Sequence, residues 1–135
     1  MSTRSVTVVK MVYDCAPEIA LYRHCDGYPS VAGAAILEAL DGATCPEQVA
    51  GKLLSMTYDS QRPMDRLRAI YHPTESAEAH GDLEYVYTIA PHELGWSVTV
   101  TERGDEWEAP LSAWPKQEYT AATFAAMVRA AQEDR

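Results

Sequence analysis

Residues 82–90, DLEYVYTIA, and 95–103, GWSVTVTER, decide the fold. In the first, Leu83, Tyr85, Tyr87 and Ile89 alternate with Glu84, Val86 and Thr88; in the second, Trp96, Val98 and Val100 alternate with Ser97, Thr99 and Thr101. A period of two sends successive side chains to opposite faces of a pleated strand, so each segment predicts a strand with one face turned to a core. Gly104-Asp105 is a turn signal, and Glu106-Trp107-Glu108 opens a further short strand that Pro110 ends. This part of the chain is therefore expected to be an antiparallel β-meander.

Upstream, residues 3–13, TRSVTVVKMVY, are rich in β-branched side chains, and EIALYRH at 18–24 has the same character after the polar break DCAPE. The two segments predict an antiparallel hairpin. Its second strand ends at Asp26-Gly27, where glycine allows a positive φ, and Pro29 biases Tyr28 away from helix. With Ser30 as N-cap, VAGAAILEAL at 31–40 is apolar on every face and predicts a largely buried helix ending near Asp41-Gly42. Thr44-Cys45-Pro46-Glu47 predicts a capping box, with Thr44 as N-cap and Glu47 reaching back, ahead of a second helix over residues 45–56. Residues 57–82 mix chain breakers with one short apolar segment, and a strand is expected over 65–71. A last helix over 120–133 follows a Thr120 cap, with Phe124, Met127, Val128 and Ala131 on one stripe. The expected fold is one α+β domain over residues 1–135: an N-terminal β-hairpin, two helices, a β-meander packed against helices, and a C-terminal helix.

The chain has 135 residues, 47% hydrophobic and 23% charged, an ordinary globular composition that excludes a disordered tail or a fibre. No apolar run approaches the roughly 20 residues that span a bilayer. Eleven Lys and Arg stand against twenty Asp and Glu, a net charge of −9, so direct nucleic-acid binding would work against the protein's own field. Nearly all of the excess sits in residues 76–119, where nine acidic residues face two basic ones. Such a stretch serves either as a solvated surface or as a face for a basic partner. Cys15, Cys25 and Cys45 are odd in number and lack CxxC spacing, and Lys10 interrupts the opening segment. Reducing cytoplasm is the expected compartment.

Reactive residue types are densest in the turn His24–Pro29. His24, Cys25 and Asp26 suggest thiol chemistry, but neighbours in extended chain point to opposite faces, so Cys25 does not easily reach either. His24 and Asp26 are two apart and supply at most two metal ligands, with no other His or Cys at ligand spacing. No metal or other cofactor is expected. The structural alternative has Asp26 accepting backbone N–H bonds, Gly27 in the left-handed region, Pro29 stiffening the exit and His24 bonded to the adjacent strand. A ligand-binding alternative uses the helix start near Ser30 for an anion, Arg23 for charge and Tyr22 or Tyr28 for stacking. There is no glycine-rich phosphate loop to strengthen it. Tyr85, Tyr87, Trp96, Trp107 and Trp114 suit either an interaction platform or the meander's core, and with a single Phe in the chain the core must use some of them. Arg62, Arg66 and Arg68, balanced by Asp59 and Asp65, are expected on a solvated face, and His72, His80 and His92 receive no role.

Thr3-Arg4-Ser5, the run Tyr22-Arg23-His24-Cys25-Asp26-Gly27-Tyr28-Pro29, the following Gly33 and the later Glu84-Tyr85-Val86-Tyr87 resemble a group of small proteins from bacteriophages, prophages and bacterial mobile regions. Those proteins open with a TRS-type strand and carry an HWDGYP motif before a helix; this chain has Cys25 where the motif has Trp. The resemblance spans residues 3–40 and 82–100 and carries no biochemical activity with it. It implies an accessory gene of phage or mobile-element origin, a setting in which inhibitors of host defence are common. Two functions are expected from these observations. One is a non-enzymatic, anti-CRISPR-like inhibitor in the host cytoplasm whose acidic residues Glu84, Glu102, Asp105, Glu106 and Glu108 contact a defence or nucleic-acid-handling protein complex. The other is a binder of a nucleotide or nucleotide-derived signal at Tyr22, Arg23, His24, Asp26, Gly27, Tyr28 and Ser30. The oligomeric state is left open.

Overall fold

In the computed structural model, which describes residues 3–12, 18–58, 67–70, 83–93, 95–104 and 109–134, the strands form one mixed sheet with helices on one face. The hairpin is β1 (Arg4–Val9) and β2 (Ile19–Arg23), paired antiparallel from Ser5↔Arg23 to Val9↔Ile19. Strand β3 (Arg68–Ile70), inside the segment expected to be extended, pairs with β2. Strands β4 (Leu83–His92), β5 (Gly95–Glu102) and β6 (Lys116–Thr120) form the meander. The order across the sheet is β3-β2-β1-β4-β5-β6. Hairpin and meander join through a parallel pairing of β1 with β4. Val6, Val8 and Val9 of β1 are almost fully buried, as a central strand covered on both faces requires.

The meander's third described strand differs from the expected one. Residues 105–108 lie outside the described residues, and β6 was not legible because its exposed KQEYT has no apolar alternation. The face that Leu83 takes also differs from the expected one. A register shift between Arg4 and Ser5 pairs Arg4 with Leu83 and Ser5 with Tyr85, passing over Glu84. Leu83 consequently joins Val86 and Val6 on the face away from the helices, while Tyr87 and Ile89 keep the helix-covered face.

Helix α1 (Ala34–Leu40) is preceded by one wide turn, Pro29–Gly33, that starts a residue before the expected N-cap. Tyr28 holds the cap position, Pro29 the first turn, and Ser30 is buried inside it. Helix α2 (Pro46–Tyr58) also starts later than expected, and the residue reaching back is Gln48 rather than Glu47: its Oε1 accepts from the Thr44 N–H at 2.8 Å and the Thr44 hydroxyl at 3.1 Å. Helix α3 (Ala121–Glu133) has the expected Thr120 cap, closed reciprocally with Thr123.

The main core lies between helices and sheet. Val9, Leu21, Tyr87, Ile89, Val98 and Val100 meet Ile36, Ala39, Val49, Leu53, Phe124 and Val128 there. The opposite face of the sheet carries a smaller cluster around Val6, Val8, Tyr22, Val86 and Trp114. Among the described residues, no helix is long and apolar enough to cross a membrane.

Candidate functional site

Strand register brings two polar groups to the end of the sheet where β1 begins and β2 ends, one on each face. On the helix side, Arg23, Ser5, Tyr85 and Glu102 stand in one cross-strand row. The His24–Pro29 turn closes over it. Gly27 donates its N–H to the Thr3 carbonyl at 2.8 Å, and its carbonyl accepts from the buried Tyr87 hydroxyl at 2.7 Å. Its φ is not in the left-handed region; Asp26 takes that conformation, with φ 58°. The expected task of Gly27 is thereby corrected, because what the site demands is the missing Cβ, which would lie 2.7 Å from Ser5 Cβ. Asp26 is exposed and accepts from the Tyr28 hydroxyl at 2.9 Å, where backbone N–H donors were expected.

Tyr85 stacks on Tyr87, ring centroids 5.9 Å apart, and donates to Glu102 Oε1 at 3.1 Å. Burial, then the charge and hydrogen bond of Glu102, then the charge of Glu84, push the Tyr85 phenol up to about 12 from its ordinary 10.0. Burial likewise holds Tyr87 well above the usual range, reinforced by Tyr85 and Glu102 and opposed by Arg23. Between pH 10 and 12 the folded Tyr85 keeps a proton that the unfolded chain has lost. Its stabilising effect is complete below pH 10 and falls away as pH rises through that window. Tyr85→Phe is expected to flatten the alkaline loss of stability, measured by urea unfolding at pH 9 and pH 11. An unchanged loss would contradict the assignment.

On the opposite face, Tyr22 and His24 share one side of β2 and its continuation. His24 Nδ1 accepts from Arg4 Nε at 3.2 Å and lies 3.0 Å from the Tyr22 hydroxyl, while Arg4 Nη2 is 3.5 Å from Nε2. Arg68 pairs with Tyr22 across β2 and β3. Burial raises the Tyr22 phenol against the lowering influence of Arg4 and Arg68. The result is a basic corner around one aromatic ring within an acidic protein. Of the ligand-binding candidates, the fold brings Tyr22 and His24 together with Arg4 and Arg68. Arg23 is on the other face, and Gly27 and Ser30 are buried, with the Ser30 carbonyl accepting from Gln132 Nε2 at 3.3 Å. Arg4 was missed, although extending the hairpin one pair beyond Ser5↔Arg23 sets it opposite His24.

Of the acidic candidates, Glu84 and Glu102 fall on neighbouring strands at this same end. Glu102 is exposed and bonded to Tyr85; the Glu84 carbonyl accepts the Arg103 N–H at 2.9 Å. Arg103 lies over the Trp114 ring at 4.9 Å; burial lowers its pKa and Glu84 opposes that. Asp105, Glu106 and Glu108 lie outside the described residues, as do Cys15, Trp107, Arg62, Arg66, His72 and His80. Exposed Glu93 and Glu118 add carboxylates at the β4–β5 turn and on β6. Among the aromatic residues, Tyr87 and Trp114 are buried and Tyr85 and Trp96 are half-buried, so the core uses most of the described rings. Cys25 is buried and Cys45 half-buried, neither in a disulfide, and among the described residues no three His, Cys, Asp or Glu side chains are grouped to hold a metal.

Comparison of the chain with protein-family models, curated proteins and solved structures finds no match.

Proposed function

We propose that this is a non-enzymatic accessory protein that binds another protein through the acidic surface of its β4–β5–β6 half, occupying a basic surface built for nucleic acid. The observation that carries the proposal is the confinement of the charge excess: residues 76–119 hold nine carboxylates against two basic side chains. Exposed Glu93, Glu102 and Glu118 sit on that part of the sheet. Side chains of one sign on a β-framework suit a positive groove by electrostatic complementarity. The resemblance to phage and mobile-element proteins supports a host defence or nucleic-acid-handling complex as the target, met in the host cytoplasm.

Such a complex draws its on-rate and specificity from charge and weakens as salt rises. Reversing Glu84, Glu102 and Glu108 together to Lys is expected to abolish capture of the partner while leaving the thermal melt of the free protein cooperative. Retained capture by a folded triple variant would refute the proposal.

A second reading rests on the basic corner. Arg4, His24 and Arg68 beside the buried Tyr22 suit a small phosphorylated ligand, the half-buried His24 ring offering stacking and the guanidinium groups paired contacts to phosphate. A nucleotide bound there at a hundredfold excess over its dissociation constant would stabilise the fold by about 2.7 kcal/mol. A nucleotide panel producing no such shift, or one that survives Arg4→Ala, removes this reading.

A further inference from the structure

Among the described residues β6 is the last strand of the sheet, and its outer edge carries hydrogen-bonding groups in a pattern set by the ladder. The Glu102 N–H donates to the Pro115 carbonyl at 3.1 Å, which makes 102 and 115 a hydrogen-bonded pair in the β5–β6 register. Antiparallel ladders alternate hydrogen-bonded and non-hydrogen-bonded pairs. Gln117 and Tyr119 therefore turn their backbone groups towards β5, and Lys116, Glu118 and Thr120 turn theirs outward. Thr120 is already committed, its N–H donating to Thr123 Oγ1 at 2.9 Å and its carbonyl accepting from the same hydroxyl at 3.3 Å. Lys116 and Glu118 are left with two outward N–H groups and two outward carbonyls, flanked by exposed side chains.

We propose that β6 is a self-association edge: a second copy of this chain docks antiparallel on it about a two-fold axis through Gln117. Closed two-fold contacts are self-complementary by construction, so the strand must match its own reverse. Outward-facing residues must meet outward-facing ones, which leaves three central registers. An axis at Lys116 sets the two Lys116 ammonium groups directly opposite each other. An axis at Glu118 does the same to two carboxylates and opposes Lys116 to the occupied Thr120. The axis at Gln117 sets Lys116 opposite Glu118 of the second copy, twice. It exchanges four backbone hydrogen bonds and places Pro115 against Tyr119 of the second copy. Opposite charges stabilise directly opposed positions and like charges destabilise them, so charge selects this register. A lone lysine blunts an edge against association; alternation of Lys116 with Glu118 makes the edge complementary to itself. Glu118 also belongs to the acidic surface proposed above, but the dimer is read on the isolated chain with no partner present, so the two ideas fail independently.

Sedimentation velocity of the full chain over a concentration series is the test, with Lys116→Glu, Glu118→Lys and the doubly exchanged variant. The expected result is a reversible dimer whose dissociation constant rises about tenfold in each single variant and returns in the exchanged pair. The circular dichroism spectrum should stay unchanged, because both side chains are exposed. A wild-type chain that stays monomeric up to millimolar concentration overturns the proposal. So does a dimer indifferent to the single reversals, which would lie on another surface, or one that the double exchange does not restore.

Discussion

Phe124→Ala is expected to destabilise the fold by about 3–5 kcal/mol. The ring is 0% exposed and sits where α3, the sheet and the Pro29–Gly33 turn converge. It meets Tyr87 edge-on at 6.5 Å and Tyr119 at 6.0 Å, contacts that add to its area burial. On the turn side, a Cβ at Gly33 would lie 3.4 Å from its Cζ and 2.6 Å from Val128 Cγ2. A neighbourhood that tight has little freedom to collapse into the space left by the ring. Domains of this size have only about 5–15 kcal/mol of stability to lose, so the urea midpoint should fall sharply. A loss under 1 kcal/mol would mean that α3 does not pack as described.

Gly27→Ala is expected to cost about 3 kcal/mol, of which overpacking supplies about 1–3 kcal/mol. The added Cβ meets Ser5 Cβ at 2.7 Å, Oγ at 2.8 Å and N at 2.9 Å. Backbone is the decisive contact, because β1 is clamped by β2 on one side and β4 on the other and cannot retreat. Displacing the turn also strips the buried Tyr87 hydroxyl of its acceptor, adding about 1–3 kcal/mol for an unsatisfied group. Ser5→Ala keeps the Cβ and the N, so it should not rescue the variant. A Gly27→Ala protein with wild-type stability would show that the turn does not lie over β1.

Gly27 shows where sequence reading stops. That Asp26-Gly27 ends a strand was legible from residue type, and so were the hairpin, the Thr120 cap and most of the stripe on α3. Which residue of the turn would take the left-handed φ was not, because Asp and Gly both tolerate it and the choice is made by what lies beneath. Gly27 is pressed onto Ser5, a contact between residues 22 apart that follows only from tertiary packing. The parallel union of β1 with β4 was hidden for the same reason, since alternation states which face a strand buries and not which strand is its neighbour. Leu83 shows the limit of alternation itself: one register shift reversed its face.

For the candidate sites, the residue types were legible and their grouping was not. Tyr22 and His24, two apart on one strand, share a side, whereas the pair weighed from sequence was His24 with Asp26, and Arg4 and Arg68 reach the site only through pairing of three strands. Arg23 carried the charge in the sequence-based picture and lies across the sheet from the other two, as strand periodicity requires of an adjacent residue. The acidic excess needs no tertiary contact to be seen, which is why it carries the functional proposal.

The central claim is that an acidic surface engages a basic protein. Its most direct measurement is capture of partners from host lysate by the tagged protein at about 50 mM and about 500 mM salt, with bound proteins and extracted nucleotides identified by mass spectrometry. The account predicts one nucleic-acid-binding complex held at low salt, released at high salt, and absent from the variant with Glu84, Glu102 and Glu108 reversed. A nucleotide co-purifying with no protein partner, or a partner held equally at both salts, would contradict it.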